Sequence, residues 1–170
     1  TNKAISSVLS SLTFGTDYIQ VSRYNATTQK FEHYVNDSTF NEFTTLEEGR
    51  VYEIFVTNPA GASFTLQVSS LSVNPSLKTS YNLIGSPSTR SISKQEALSN
   101  LIQGTDYDSL KVWDGASFVE TTTLDPGKSY FIRMLRAATW IPSKTPKTTR
   151  FTYDGDGGRG LDAAIAELDQ

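Results

Sequence analysis

Two stretches of this chain return, nearly unchanged, further along the same chain. Residues 9–18 read LSSLTFGTDY and residues 98–107 read LSNLIQGTDY, 89 positions later. Residues 45–54 read TLEEGRVYEI and residues 123–132 read TLDPGKSYFI, 78 positions later. Because only the spacing between the two blocks changes, we expect tandem copies of one structural unit that differ in loop length.

The repeat divides the 170 residues into three segments. We predict a first module at residues 1–72, a second module at residues 73–142, and a linker and C-terminal tail with a short helix at residues 143–170. A unit of this size buries only about 60% of the surface that its unfolded chain exposes. The two modules should therefore pack side by side instead of standing alone.

Each module begins with a short helix and continues in strands. Ile5, Val8, Leu9 and Leu12 form one apolar helical stripe in the first module, and residues 93–96 (SKQE) form a capping box in the second. The segments after each helix alternate apolar and polar residues, as strands with one buried face do. We therefore predict a mainly β fold of the α+β type: two tandem antiparallel β modules, each with one short helix, packed side by side.

Glycines mark the predicted turns. Gly15 and Gly104 come after the two helices, where a residue with positive φ would close the last helical turn. Asp114-Gly115 separates two strand-like segments and is typical of a two-residue type I′ hairpin turn. The corresponding turn of the first module, through residues 25–28, is longer.

Residues 81–87 (YNLIGSP) form an apolar strand just before the second helix. At an offset of 89, the counterpart in the first module would precede residue 1, so we expect either a chain cut within that module or a strand supplied from elsewhere. An open sheet edge invites a strand from a neighbouring chain, with residues 139–141 or 151–153 as candidate donors. Residues 161–168 are predicted to form a short helix with one apolar face.

The composition narrows the class of protein. A net charge of −3 and a pI near 5.1, with no basic run, argue against a nucleic-acid partner. Cys is absent, which excludes disulfides and thiolate chemistry. No apolar run approaches the ~18–20 residues of a membrane span, and no signal peptide is visible. Abundant Thr, Ser, Tyr and Asn are typical of an extracellular β-protein.

Catalytic residues are hard to find. With one His and no Cys, nucleophilic catalysis has few candidates, and no Gly-x-Ser-x-Gly turn occurs. His33 lies in an alternating strand and has no counterpart in the second module, so we expect a strand-surface residue. Asp17 and Asp106 recur and could act as paired carboxylates, but Asp after a turn glycine also accepts backbone N–H groups. We therefore expect no enzyme.

The glycine-rich segment at residues 154–162 (DGDGGRGLD) suggests a test for calcium. Asp154, Asp156 and Asp162 fill positions 1, 3 and 9 of an EF-hand or dockerin-like loop. Two strong ligands of such a loop are missing, at positions 5 and 12. Calcium is therefore the one cofactor that the sequence suggests. The simpler interpretation of this segment is a flexible linker that leads into a helix.

Aromatic rings are the remaining candidates for ligand binding. Tyr24 and Trp113 occupy equivalent positions in the repeat, Tyr130 repeats Tyr52, and Trp140 has no counterpart. Rigid rings with polar neighbours can stack on sugar rings, although core packing explains duplicated aromatics as well. We take Trp113, Trp140, Tyr24 and Tyr130 as the candidate ligand-binding residues.

The second copy resembles a known family. Residues 81–87 (YNLIGSP), 112–115 (VWDG) and 124–132 (LDPGKSYFI) resemble a bacterial and archaeal extracellular module that reads roughly Trp-Asn-Leu-Ile-Gly-x-Pro, an aromatic strand, then Leu-x-Pro-Gly-x-x-Tyr-Trp. The resemblance covers residues 81–135 well and residues 1–57 more loosely. It implies a non-catalytic part of a large secreted surface protein, often in tandem copies.

The departures from that pattern are small. Tyr81 replaces the opening Trp, Phe131 replaces the final aromatic residue, and Glu48 stands where the first copy should have Pro. Residues 151–159 (FTYDGDGGR) separately resemble the start of a Rhs-type tyrosine–aspartate repeat, which implies that a Rhs shell could adjoin this region in a longer protein.

These observations lead to three functional hypotheses. The first is a non-catalytic structural or adhesive module of a surface or secreted protein, located outside the cell, whose partners are neighbouring modules or subunits. The second is a carbohydrate-binding module that uses exposed aromatics. The third is a filament-forming subunit that is completed by strand donation from a neighbour.

Overall fold

The chain is mainly β, as predicted, with several antiparallel sheets and two short helices. A computed structural model describes residues 3–35, 39–47, 49–61, 63–66, 74–88, 90–142, 149–152 and 164–165. Among these residues, no helix is long and apolar enough to cross a membrane.

In the first part of the chain, up to residue 66, the described residues form one helix and six strands. The elements are β1 (Lys3–Ala4), α1 (Ile5–Val8), β2 (Tyr18–Asn25), β3 (Lys30–Tyr34), β4 (Thr45–Leu46), β5 (Tyr52–Val56) and β6 (Ser63–Leu66). The helix α1 is one turn long, shorter than the predicted stripe, because a tighter hydrogen bond from the Leu12 N–H to the Leu9 carbonyl, three residues back, replaces the next helical turn.

The second part repeats this order after two additional strands. The elements are β7 (Ser76–Leu77), β8 (Ser80–Gly85), β9 (Ile92–Ser93), α2 (Lys94–Ala97), β10 (Tyr107–Trp113), β11 (Phe118–Glu120), β12 (Thr123–Leu124), β13 (Ser129–Met134) and β14 (Ala138–Thr139). The N-cap bond of the predicted capping box is confirmed, since the Ser93 hydroxyl accepts the Glu96 N–H at 3.0 Å. The Glu96 carboxylate accepts the Arg90 guanidinium at 2.9 Å instead of completing the box.

Two four-stranded antiparallel sheets form the centre of the fold. The first sheet has the order β16-β5-β2-β3, where β16 is Ala164–Ile165, and the second has the order β11-β10-β13-β8. Both central strands carry a register irregularity near their start, between Tyr18 and Gln20 in β2 and between Tyr107 and Ser109 in β10. Short antiparallel pairs flank these sheets, namely β1-β4, β9-β12, β7-β14 and β6-β15, where β15 is Thr149–Thr152.

Each four-stranded sheet covers its own hydrophobic core. The first core contains the buried residues Ile5, Leu9, Tyr18, Val21, Tyr34, Phe43, Leu46, Tyr52 and Ile54. The second contains Leu77, Ile84, Ile92, Ala97, Leu98, Leu101, Tyr107, Leu110, Leu124, Tyr130, Ile132, Met134 and Trp140. In both cores the apolar stripe of the short helix packs beneath the sheet, as the spacing of its residues requires.

The glycines of the two GTDY blocks have the predicted positive φ but not the predicted place. The φ angles are +85° at Gly15 and +83° at Gly104. Each glycine lies several residues beyond the end of its helix, so it does not cap the helix. Instead, the Gly15 N–H donates to the Tyr18 carbonyl and the Gly104 N–H to the Tyr107 carbonyl, both at 2.7 Å. The glycine therefore turns the chain into the central strand.

Two buried tyrosines close the turns that precede β5 and β13. The Tyr52 hydroxyl accepts the Glu47 N–H at 2.7 Å, and the Tyr130 hydroxyl accepts the Asp125 N–H at 2.6 Å. Burial raises the pKa of Tyr130 to about 12. The repeated Leu-x-x-Gly-x-x-Tyr pattern is thus a turn whose orphan N–H is satisfied by the tyrosine five residues later.

The predicted two-residue turn at Asp114-Gly115 is wrong. Trp113 is the partner of Phe118, so four residues form the loop. The Asp114 Oδ1 accepts the N–H groups of Ala116 and Ser117 at 2.9 and 2.8 Å, which stabilises the wider loop. Asn25 does the same in the first part of the chain, where it accepts the N–H groups of Thr27 and Thr28.

The predicted helix at residues 161–168 is also corrected, since Ala164–Ile165 form the strand β16 along one edge of β5. A strand edge presents N–H and C=O groups that a second strand can pair with, whereas an isolated helix of eight residues is marginal in water. The predicted strand at residues 151–153 overlaps β15, which pairs with β6.

We expect Gly15→Ala and Gly104→Ala to lower the free energy of unfolding by similar amounts, about 1 kcal/mol each. An added Cβ would have no heavy atom within 4 Å at either position, so the positive φ is the whole cost. Chemical denaturation measures the effect. Gly15→Asn and Gly104→Asn are the controls and should lose less, because Asn tolerates positive φ. A loss at one position alone would contradict the matching roles of the two glycines.

Candidate functional site

The two four-stranded sheets meet through a cluster of aromatic rings, which we call the joint. Tyr24 and Phe31 contribute from the first sheet, and Tyr81, Phe118 and Phe131 from the second. Since Tyr130 and Ile132 face the second core, Phe131 between them lies on the opposite face of β13. The joint is therefore made by the faces that point away from the two cores.

Phe131 is the centre of the joint. Its ring centroid lies 5.0 Å from that of Tyr24, 6.1 Å from Phe31, 5.2 Å from Phe118 and 6.2 Å from Tyr81. All four pairs are close to perpendicular, which is the edge-to-face arrangement that aromatic quadrupoles favour. One side chain of the second sheet thus contacts rings from both sheets.

Hydrogen bonds lock one side of the joint. The Gln29 amide donates to the Tyr81 carbonyl at 2.9 Å, and the Gln29 Oε1 accepts the Tyr81 N–H at 3.1 Å and the Ser80 hydroxyl at 3.0 Å. Gln29 and Ser80 have φ of +56° and +79°, and they are the non-glycine residues with positive φ in the described part of the chain. Such backbones persist only where the surroundings hold them. Both strained residues therefore serve this contact.

Glu53 lies in the joint at the position where the second sheet has Phe131. The residue is only 3% exposed, and its Oε1 accepts the Ser129 hydroxyl at 2.9 Å. The Oε2 has no hydrogen-bond partner among the described residues. Burial raises the pKa of Glu53 to about 7, because removal from water penalises the carboxylate. A carboxyl that titrates near neutrality thus sits between the two sheets.

His33 of β3 makes structural contacts next to the joint. Its Nδ1 lies 3.0 Å from the Gln20 amide nitrogen and 3.0 Å from the Ser22 hydroxyl, and its ring stacks on Phe31. An amide nitrogen only donates, so Nδ1 is an acceptor. Ser22 is 5% exposed, which leaves its hydroxyl little access to a substrate. The serine and histidine thus belong to a hydrogen-bonded network on the sheet.

A cleft of about 280 Å³ opens beside the joint. Its walls carry amide, hydroxyl and cationic groups together with two aromatic residues; they include Tyr24, Asn25, Arg50, Asn74, Lys78 and Trp140. The cleft therefore combines a ring with several hydrogen-bonding groups, as sites for small polar ligands do.

The four candidate ligand-binding residues fall into two groups. Trp140 and Tyr130 are each 1% exposed and belong to the second core, and the Trp140 indole donates to the Ala97 carbonyl at 2.8 Å. Burial leaves neither ring with a face for a ligand. Tyr24 and Trp113 are half-buried, Tyr24 in the joint and the cleft and Trp113 against Phe118 at the hairpin end.

The two repeated aspartates make equivalent structural bonds. The Asp17 Oδ2 accepts the Thr13 N–H at 2.7 Å, and the Asp106 Oδ2 accepts the Ile102 N–H at 2.8 Å. These N–H groups come before the aspartate, not after it as in an Asx turn. The same bonds lower the pKa of both carboxyls, helped at Asp106 by Arg136 at 2.6 Å.

The candidate calcium ligands Asp154, Asp156 and Asp162 lie outside the described residues. Within the described part of the chain, no group of three or more His, Cys, Asp or Glu residues is arranged to hold a metal ion.

Sequence reasoning missed Gln29 and Glu53. Gln29 lies in a loop and resembles any polar turn residue. Glu53 lies in an alternating strand, and a charged residue there reads as solvent-exposed. The signal that was available is the mismatch between the two copies, because position 53 carries Glu where position 131 carries Phe.

The comparisons with known proteins give no family. No protein-family model, curated protein or solved structure matches the chain. A function for this chain therefore has to be inferred from the geometry of its described residues.

The ordinary pKa of Glu53 is 4.5, and its pKa in the folded chain is about 7. We expect the free energy of unfolding to fall as pH rises between these two values. In this window the unfolded chain releases the Glu53 proton while the folded chain retains it, so unfolding is favoured by roughly 3 kcal/mol at the upper end. Urea denaturation at a series of pH values measures the slope.

Glu53→Gln should remove that slope. Glu32→Gln is the control, because hydrogen bonds from Asn25 and Arg23 hold the pKa of Glu32 below its usual value. Replacing Glu32 should therefore change the pH dependence of stability only below this window. An unchanged slope in Glu53→Gln would show that the carboxyl is hydrated in solution.

Proposed function

We propose that the chain is a non-catalytic structural module of a surface or secreted protein, which serves adhesion, spacing or assembly outside the cell. The observation that carries this proposal is the joint, where Phe131 and Gln29 fix the second sheet against the first. A fixed angle between tandem units is useful in a spacer, since it sets the direction in which the chain continues.

The use of the polar residues supports the same proposal. The repeated aspartates bind backbone N–H groups, the repeated tyrosines close turns, and His33 accepts hydrogen bonds within its sheet. Arg23 is held by Glu32 at 2.6 Å and stacks on the Phe43 ring at 4.5 Å. These groups stabilise the fold. The partners that fit a structural module are neighbouring modules or subunits.

The sequence similarities between the two parts also support a proposal about how the chain is built. We take the two parts as copies of one repeat unit, because matched residues make matched bonds in both. The Thr57 N–H donates to the Asp17 carbonyl at 3.0 Å, and the Leu135 N–H donates to the Asp106 carbonyl at 2.8 Å. Two units that pack together through their outer faces suit a rigid structural element of a surface protein.

Phe131→Ala should loosen the joint and lower the free energy of unfolding by about 2 kcal/mol, because a half-buried ring with four aromatic neighbours is removed. Calorimetry should then resolve separate transitions for the two cores. Phe40→Ala is the matched control, since Phe40 is 70% exposed and the loss of its ring should change little. Equal behaviour of the two variants would contradict a joint that holds the sheets together.

Carbohydrate binding is a second candidate function, favoured by the cleft. Tyr24 lines the cleft together with Asn74 and Arg50. The amides of Asn25 and Asn82 also line it, but they are bonded within the fold. Amide groups and an aromatic ring are the groups that recognise a sugar's hydroxyls and its apolar face.

A glycan microarray tests this candidate. We expect Tyr24→Ala to weaken binding at least about tenfold and Tyr24→Phe to retain it, because stacking requires the ring and not the hydroxyl. Phe131→Ala, which loosens the joint but removes no residue of the cleft, should weaken binding less. Loss on Trp113→Ala instead would place the site at the hairpin end. Failure of the wild-type chain to bind any glycan would contradict the candidate.

A further inference from the structure

Strand β13 is paired along both of its edges. One edge pairs with β10, and the other pairs with β8 through six registered positions, from Ser129 opposite Gly85 to Met134 opposite Ser80. The second sheet therefore has no open edge at this central strand, and β8 supplies the closing strand.

Strand β5 takes the place of β13 in the first sheet. The hydroxyls of Tyr52 and Tyr130 accept equivalent turn N–H groups, and both strands pair with the long hairpin strand that begins at the tyrosine of the GTDY block. One edge of β5 pairs with β2. The other edge corresponds to the edge of β13 that pairs with β8 in the second sheet.

The strand found at that position is β16, from the C-terminal part of the chain. Ile165 lies opposite Tyr52, just as Ile84 lies opposite Tyr130 in the second sheet. Both added strands are antiparallel to the strand that they close. The register of β16 is therefore the register of β8.

The neighbouring pair continues the same register. Ala164 lies opposite Glu53, and Leu83 lies opposite Phe131 in the second sheet. Two successive positions of β16 therefore match the pairing of β8.

The strands before the closing strands correspond as well. In the second part of the chain, β7 precedes β8 and pairs with β14, the strand after β13. In the first, β15 precedes β16 and pairs with β6, the strand after β5, through four registered positions. Two successive strands of the tail thus repeat the pairings of β7 and β8.

We propose that the open edges of β5 and β6 form a strand-acceptor site, and that its occupant is the chain's own C-terminal segment, β15 and β16. Main-chain hydrogen bonds provide the attraction, and the register opposite Tyr52 and Glu53 matches that of β8. The donor strand here belongs to the same chain and not to a neighbour. The other candidate donor, residues 139–141, is already partly used, since Thr139 pairs with Ser76 of β7.

Engineered disulfides test the proposal directly, since the chain has no Cys of its own. Glu53→Cys with Ala164→Cys places two cysteines opposite each other in an antiparallel pair, where Cα atoms lie about 4.5–5.5 Å apart and a disulfide can form. We expect oxidation of the dilute full chain to give a monomer with an internal cross-link, detected by mass and by mobility without reductant.

Two further pairs make the result specific. Thr65→Cys with Arg150→Cys tests β15 in the same way and leaves Glu53 in place, so a folding defect in the first variant does not decide the outcome. Glu53→Cys with Ile165→Cys is shifted by one register position and should cross-link at least about tenfold more slowly, because neighbouring side chains on a strand point to opposite faces. Cross-links only between chains, or equal yields from the matched and the shifted pair, would overturn the proposal.

Discussion

The contact of Phe131 with the first sheet is the interaction on which the arrangement of the two sheets depends. Each sheet has its own core on one face, and the two cores share no residue. Among the described residues, the outer faces meet at the joint, where one ring of β13 packs on Tyr24 and Phe31 while Gln29 holds the backbone of Tyr81. Removing that contact would leave two small units, each with a modest core of its own.

The joint is asymmetric, because equivalent positions of the two sheets carry different residues. Position 131 of the second sheet is an apolar ring, and position 53 of the first is a buried carboxyl that accepts a hydrogen bond from Ser129. The two faces correspond, since each points away from its own core. One of them inserts a ring where the other carries a carboxyl group, so the joint pairs corresponding faces that carry unlike residues.

Much of the fold could be predicted from local patterns, and most of the joint could not. The positive φ of Gly15 and Gly104, the alternating strands and the Ser93 cap depend on neighbouring residues, so the sequence of one segment contains the cause. The burial of Trp140 depends on the carbonyl of Ala97, and that of Glu53 on a residue of another sheet. Residues 161–168 have helical periodicity, but pairing with the edge of β5, far away in the chain, decides the conformation of residues 164–165. Long-range partners of this kind leave no local signal.

The C-terminal tail returns to the first sheet, and this explains how a small joint can keep the two sheets together. Strand β6 leads out of the first sheet and β15 leads back to pair with it, so residues 74–142 lie between two paired strands. The second sheet is therefore tethered at both ends, which restricts the orientations it can adopt. Edge-to-face aromatic pairs contribute only about 0.5–1.5 kcal/mol each beyond the area they bury. Two tethers raise the effective concentration of one face at the other, so these few contacts are enough to keep the sheets together.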